Sequence, residues 1–448
     1  MTPQPPLDSS PAAKPRSVFQ QIISNAGILL GGKATNAVLG LATVALAARA
    51  LGIETFGVLV LVHAYVQTVG DIAKFQSWQA LLNYGTAAFD EKRFGHFHRV
   101  LRFSLLLDGI SGLAGLAIAL AGVLLIGGGL GWPAAEQTAV ALYTLSILFN
   151  IGATPMGALR LVNRFDLLAA ESTLESLIRL IGAALAWWLG AGLHMFLLIW
   201  FVAKVISCLF LFGSAAWVLH RQRALSGFRW RMTGSWTQDM PGVWPFVWST
   251  NFNSTLGLAF TQVGTLMVGA MLGATEAALY RIAKQLADAV AKPAKLIVPA
   301  LYPELARLAS KPDRTALRKL VRQLALAGGG VATTLLVLVA LFGGAILTVL
   351  IGPEFGDAKP VMMWLLTGAV ISIWAVPLEP LLMSGGHASE AFWMRLVVTV
   401  LYVPLLYWMI HTQALHGAGV AAVIGATMLL LGQLWLVQRW FGQQARAL

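Results

Sequence analysis

Stretches of about twenty predominantly apolar residues recur along the whole chain, separated by short polar punctuation, and this repetition constrains the fold more than any other feature. In hydrocarbon every backbone N–H and C=O must be satisfied inside the protein, so a chain built this way folds as a set of spanning helices. Twelve spans are read, centred near Leu41, Val69, Leu116, Leu148, Leu180, Ile206, Leu258, Ala291, Val337, Ile371, Val400 and Ala426. The composition agrees: 58% of 448 residues are hydrophobic and 11% are charged, more apolar side chain than a soluble core of this size needs. The first apolar run is long and eleven others follow it, so it reads as a span and not as a cleaved leader. Cys208 is the only cysteine and lies in an apolar run, which leaves no disulfide or thiolate metal site.

The net charge of +12 would suit a nucleic-acid partner if it were clustered on a polar surface. Its distribution says otherwise. Of the 31 Lys and Arg, 21 lie in the two tails and in the alternate loops near Lys92, Arg160, Arg221, Arg314 and Arg395. The loops of the other side hold only Arg49 and Lys359, and the remaining 8 lie within spans. By the positive-inside bias both termini are cytoplasmic, and the basic loops would rest against anionic lipid. No nucleic-acid partner is expected.

Sliding the sequence on itself by about 221 residues superposes features of several kinds. "ALGIETFG" meets "MLGATEAALY", "HRVLRFSL" from His98 meets "RKLVRQLAL" from Arg318, the Gly131 turn meets the Gly352 turn, and Pro155 meets Pro377. The chain therefore divides into a cytoplasmic tail (1–18), a six-helix N-lobe (19–219), a basic cytoplasmic linker (220–242) and a six-helix C-lobe (243–448) with a short tail. Six is even, so the two lobes run parallel and are related by an axis along the membrane normal. A substrate belongs between them.

Within the spans, charge is concentrated on two helices. Taken at about 100° per residue, Arg281, Lys284, Asp288, Lys292 and Lys295 fall within an arc of roughly 80° and run about 21 Å along the axis. That is most of a hydrocarbon core about 30 Å thick, so snorkelling does not rescue every charge. The second helix carries a matching stripe of His63, Gln67, Asp71, Lys74 and Trp78, and Lys33 lies in the first. Simple pairing, such as Asp71 with Lys74 or Asp288 with its neighbours, is one reading. Counting weighs against it: Lys33, Lys74, Arg281, Lys284, Lys292 and Lys295 face only Asp71 and Asp288. A water-filled cavity or an anionic substrate must supply the balance. A pyrophosphate fits, because Arg grips its oxygens through paired hydrogen bonds while Lys acts as a mobile point charge. Lys33, Arg281, Lys284, Lys292 and Lys295 are thus the candidate pyrophosphate ligands, with Asp71, Lys74, Asp288 and His63 as pairing or coupling groups.

Other charges read as less specific. Glu171, Glu175 and Arg179 share a face of the fifth span as an ordinary i,i+4 arrangement, and Lys204 and Asp108 stand as isolated interfacial or paired groups. No phosphate-binding loop of the form G-x-x-x-x-G-K-[ST] occurs, so no ATP hydrolysis and no cofactor are expected. Outer loops are too short for a catalytic domain, so the chain is not read as an enzyme.

The stretch "LAARALGIETFG" ahead of a polar-lined helix, the later "PALYPELARL" leading into a basic helix, and the 6 + 6 repeat together resemble the multidrug/oligosaccharidyl-lipid/polysaccharide (MOP) exporter superfamily. Within it the chain is most similar to polysaccharide flippases of the Wzx type, over residues 19 to 440. The resemblance implies an all-α integral membrane protein with a V-shaped pair of lobes and alternating access. It implies a bacterial inner-membrane location and transfer of an undecaprenyl-pyrophosphate-linked oligosaccharide between leaflets, for O-antigen, exopolysaccharide or capsule. Partners implied are that lipid-linked oligosaccharide, membrane lipids, and polysaccharide polymerase or export machinery. A multidrug cation antiporter of the same fold is the main alternative, but its cavity should be net acidic. A membrane glycan polymerase or ligase would need a sizeable outer loop that the chain lacks.

Overall fold

The computed structural model describes residues 18–129, 132–230, 237, 240–258, 262–309 and 315–445, and among these all regular structure is helical. Twelve helical spans follow one another. Val18–Ala73 is interrupted at Gly52 and so supplies α1 (18–51) and the first part of α2, which resumes as Ser77–Asp90. The next spans are α3 (Phe94–Ile126), α4 (137–161), α5 (Phe165–Trp188) and α6 (Leu193–Arg221). After the linker come α7 (243–258 and 262–272), α8 (Ala274–Ala309), α9 (Thr315–Leu350) and α10 (358–384, in two pieces). Ala388–Ala445 is interrupted at Ala414 and supplies α11 (388–413) and α12 (415–445).

Seven described stretches are long and apolar enough to cross a membrane, and two of them, Thr35–Asp90 and Ser389–Gly442, contain one of these reversals and hold two spans each. α5, α7 and α8 are outside that set. α5 and α8 carry the ionisable side chains from which the site is built.

The repeat read from the sequence is visible in the backbone. Gly52 and Gly273, 221 positions apart, both take positive φ (70° and 103°) at the turns into α2 and α8. A side chain there would cost about 1 kcal/mol, which accounts for glycine at both. α4 breaks at Ile151–Gly152 ahead of Pro155, and α10 breaks at Val376–Pro377.

Packing fixes the direction of the spans. Gly32 of α1 lies against Ala169 near the start of α5, and Ala47 and Ala48 join Ala183 and Ala186 near its end, so α1 and α5 run the same way. Along α2, His63, Gly70 and Trp78 meet Tyr143, Asn150 and Gly157 of α4 in turn. α2 therefore returns toward the end that carries the basic loops.

At the opposite end both lobes share one core. Phe56, Leu59 and Leu61 of α2, Ala277, Tyr280 and Ile282 of α8, Phe355, and Leu365 of α10 belong to it. The fit is close: Phe56 and Phe355 make an edge contact at 6.2 Å, and Arg49 Nε donates to the Ile351 carbonyl at 3.3 Å. At the basic end the cores separate. One is built from α2 to α6 together with Val243 and Val247 of α7, the other from Leu317, Leu381, Leu382 and Trp440 of the C-lobe. The lobes also touch where α7 crosses α2, through Gln76 to Ser254 at 3.0 Å and Phe75 against Trp248. A shared core at one end and separate cores at the other give the V its apex on the side away from the basic loops.

Candidate substrate cavity

A cavity of about 140 Å³ lies between the lobes just inside the apex. α1 contributes Thr43, α2 His63, α5 Ser176 and Arg179, α7 Gln262, and α8 Arg281 and Gln285. Trp200, Phe56 and further apolar residues complete the wall, and among the described residues no carboxylate is part of it. Arg281 makes no hydrogen bond or ion pair among the described residues, and its charge lies within electrostatic range of Arg179 from the other lobe. An apolar stripe at Ile282, Ala283 and Ala287 packs that side of the helix on the core, which leaves Arg281 on the opposite side to face the cavity.

Arg281 is thus one candidate that the fold places in the wall. Lys284 is half-buried one turn further along α8, and Asp288 acts electrostatically on Arg281 from seven residues away. The side chains of Lys33, Lys292 and Lys295 lie outside those described.

The second stripe behaves differently. α2 is interrupted at Lys74–Gln76, so Lys74 and Trp78 do not extend the face of His63, Gln67 and Asp71 as an unbroken helix would. Trp78 instead stacks under the Arg160 guanidinium at 4.1 Å. His63, Gln67, Tyr143, Asn150, Arg179 and Lys204 line a second, smaller space of about 20 Å³ inside the N-lobe. Asp71 lies behind it and accepts from Gln67 Nε2 at 2.9 Å and Asn150 Nδ2 at 3.3 Å. The polar interior is thus divided into two spaces, one between the lobes and one inside the N-lobe. His63 and Arg179 form the wall between them, and His63 Nδ1 meets the Tyr143 hydroxyl at 2.8 Å.

The charge balance also divides by lobe. Lys74 shares the N-lobe interior with Asp71, Asp108, Glu171 and Lys204. Glu175 holds Arg179 at 2.6 Å and Lys204 at 3.7 Å, and Ser207 donates to Glu171. Inside the N-lobe the described cations Lys74, Arg179 and Lys204 thus have carboxylates at hand.

Arg179, Glu175 and Lys204 are the site residues that sequence reasoning passed over. An i,i+4 pair resembles a solvated surface bridge, yet Arg179 stands 14 residues into a 24-residue helix, too deep to snorkel. That depth was the available signal. Asp108 is buried, 2% exposed, and accepts from Ser77 Oγ at 2.5 Å and from the Thr154 backbone N–H at 2.8 Å. It ties the second half of α2 to the second half of α4. His98, in the basic loop region, is buried and bonds the Ala224 carbonyl at 2.6 Å, and no metal-ligating cluster is found among the described residues.

Comparison with known proteins follows the same lines. Residues 22–309 match the family of polysaccharide biosynthesis proteins. The inner membrane protein YghQ of Escherichia coli (strain K12) is 31% identical over 340 residues, 76% of this chain and 95% of that protein. Among solved structures, an inward-facing multidrug resistance MATE family transporter of the MOP superfamily aligns over 97% of each chain with a TM-score of 0.67 and 15% identity. The lipid II flippase MurJ in its inward closed conformation aligns over 92% of this chain and 87% of its own, with a TM-score of 0.68 and 12% identity. The chain accordingly belongs to the polysaccharide biosynthesis protein family and carries the V-shaped, all-helical fold of the MOP superfamily of membrane transporters.

Proposed function

We propose that the chain is a flippase that moves an undecaprenyl-diphosphate-linked oligosaccharide from the cytoplasmic to the periplasmic leaflet for polysaccharide biosynthesis. The observation that carries this reading is the wall of the inter-lobe cavity, which presents Arg179 and Arg281 and, among the described residues, no carboxylate. Cations held in a low-dielectric space need an anion, and a diphosphate offers two charged groups with oxygens spaced for guanidinium forks. Gln262, Gln285, Ser176 and His63 supply hydrogen-bonding groups for phosphate and sugar oxygens. The family match, to polysaccharide biosynthesis proteins, names the same class of product.

In this reading the headgroup enters from the basic side, where the cores part, while the lipid tail stays in the bilayer. Lys295, Lys292, Lys284 and Arg281 follow one another toward the apex at spacings of three, eight and three residues, so the diphosphate is handed inward along α8. Opening the apex while the basic end closes then releases it on the far side. Lys33 of α1 belongs to the same path, and Asp71, Lys74, Asp288 and His63 balance charge around it. Both termini and the basic loops are cytoplasmic by the positive-inside bias.

A cation extruder of the same fold would need carboxylates in the cavity wall, whereas here the N-lobe carboxylates lie behind it, engaged with Arg179, Lys204, Ser207, Gln67 and Asn150. The test is reconstitution into proteoliposomes with a fluorescent short-chain polyprenyl-diphosphate sugar in one set and a fluorescent organic cation in the other. Protein-dependent movement of the lipid-linked sugar supports the flippase; movement of the cation alone overturns it.

A further inference from the structure

We infer that Arg179 is the N-lobe half of a two-arginine anion clamp, shared between Glu175 and a diphosphate held in the inter-lobe cavity opposite Arg281. The inference rests on the flippase reading and adds a binding residue to it. Arg179 comes from the middle of α5 and Arg281 from α8, so one anion held by both would join the two lobes directly.

Three features of the Arg179 environment point to a side chain with two places to go. First, its terminal nitrogen is held by Glu175 at 2.6 Å while its Nε is buried with no hydrogen-bond partner. A guanidinium has five N–H groups, and leaving one buried and unmet is costly unless a ligand meets it. Second, Arg179 lines both the inter-lobe cavity and the N-lobe space, so a change of rotamer moves its charge from one to the other without crossing apolar packing. Third, Glu175 has a second cation, Lys204, 3.7 Å away. When Arg179 swings to an anion, Glu175 is not left as an uncompensated buried charge, which would otherwise be the main cost of the movement. Trp200, whose ring centroid lies 6.0 Å from the guanidinium and which also lines the cavity, offers a surface along which the plane can slide.

The alternative role for Arg179 is purely structural, as the counter-charge that keeps Glu175 ionised in the lobe interior. The two roles separate in a double variant. Binding of farnesyl diphosphate to the purified full-length protein in nanodiscs is measured by calorimetry for wild type, Arg281→Gln, Arg179→Gln, Arg179→Lys, Glu175→Gln and the Glu175→Gln/Arg179→Gln pair, with thermal stability recorded for each. Loss of a charge-assisted hydrogen bond predicts affinity weaker by about ten-fold or more in Arg179→Gln, with partial retention in Arg179→Lys. Glu175→Gln releases the guanidinium and binds at least as tightly as wild type. The double variant regains stability, since neither charge is stranded, and still binds weakly. If the double variant binds like wild type, Arg179 serves only Glu175 and the inference is overturned. Weak binding in Arg281→Gln with unchanged binding in Arg179→Gln also overturns it while leaving the flippase reading intact. Unchanged binding in both variants sinks the flippase reading itself. Inorganic diphosphate serves as the comparison probe: tighter binding of the farnesyl form supports a lipid headgroup as the anion, and equal affinity overturns that source.

Discussion

Gly57 of α2 lies directly beneath the carbonyl of Ala274 at the start of α8, so close that a Cβ at position 57 would stand 1.9 Å from the carbonyl oxygen. The obstacle is backbone, and no rotamer relieves it. This contact lets the lobes close at the apex, because α2 and the turn at Gly273 approach without an intervening side chain. Gly57→Val should destabilise the closed apex by about 1–3 kcal/mol, reducing its population by about ten- to hundred-fold. With Cys208 replaced by Ser, cysteines at positions 56 and 355, which pack ring to ring in the native protein, report the change as lost cross-linking by a short bismaleimide. Retained cross-linking would show that the apex tolerates the branch.

Asp108 joins two helix breaks through Ser77 and Thr154, and its replacement by Ala strands the buried Thr154 backbone N–H and leaves the Ser77 hydroxyl only its 3.3 Å contact with the Thr154 hydroxyl. At about 1–3 kcal/mol for each unmet group, Asp108→Ala should lower Tm by about 5 °C or more, while Asp108→Asn keeps an acceptor and loses less. Differential scanning fluorimetry in detergent reads this directly. Equal Tm values for the two variants would show that the carboxylate oxygens do not hold the breaks.

Ala414, between α11 and α12, has φ 49° and ψ −134°, a conformation that disfavours a Cβ. Ala414→Gly should relieve about 1 kcal/mol of strain and raise Tm by about 2 °C, with no effect on transport. A fall in Tm would contradict the backbone assigned to that turn.

Lys284 and Lys292 lie eight residues, about two turns, apart on the α8 stripe. Replacing both with Gln should reduce transport of a diphosphate-linked sugar to background while leaving membrane insertion intact, because removing charge from a span makes insertion easier. Fluorescence of a C-terminal reporter checks insertion, and flux in proteoliposomes checks transport. Normal flux would remove the α8 stripe from the pathway.

The membrane fold was legible because hydropathy acts over whole helices, and the two glycine turns because a positive φ selects the same residue in both repeats. The place of Arg281 in the cavity wall was legible because an amphipathic helix in lipid has a face that cannot meet hydrocarbon. The division of the interior into two spaces was not legible. It depends on the break in α2 at Lys74–Gln76, which no Pro or Gly marks and which is tied down by Asp108 from a helix distant in sequence. Arg179 was hidden for a related reason: its pairing with Glu175 is local, whereas its place in the cavity wall depends on α1, α2, α7 and α8 assembling around α5.

The proposal that Arg281 meets an anion in transit is tested by the initial rate of polyprenyl-diphosphate-sugar translocation by wild type and by Arg281→Gln at equal protein density in proteoliposomes. A rate lower by about ten-fold or more is expected in the variant, with unchanged thermal stability or a gain, since the lost group is a cation with no ion pair among the described residues. Equal rates in the two proteins would contradict it.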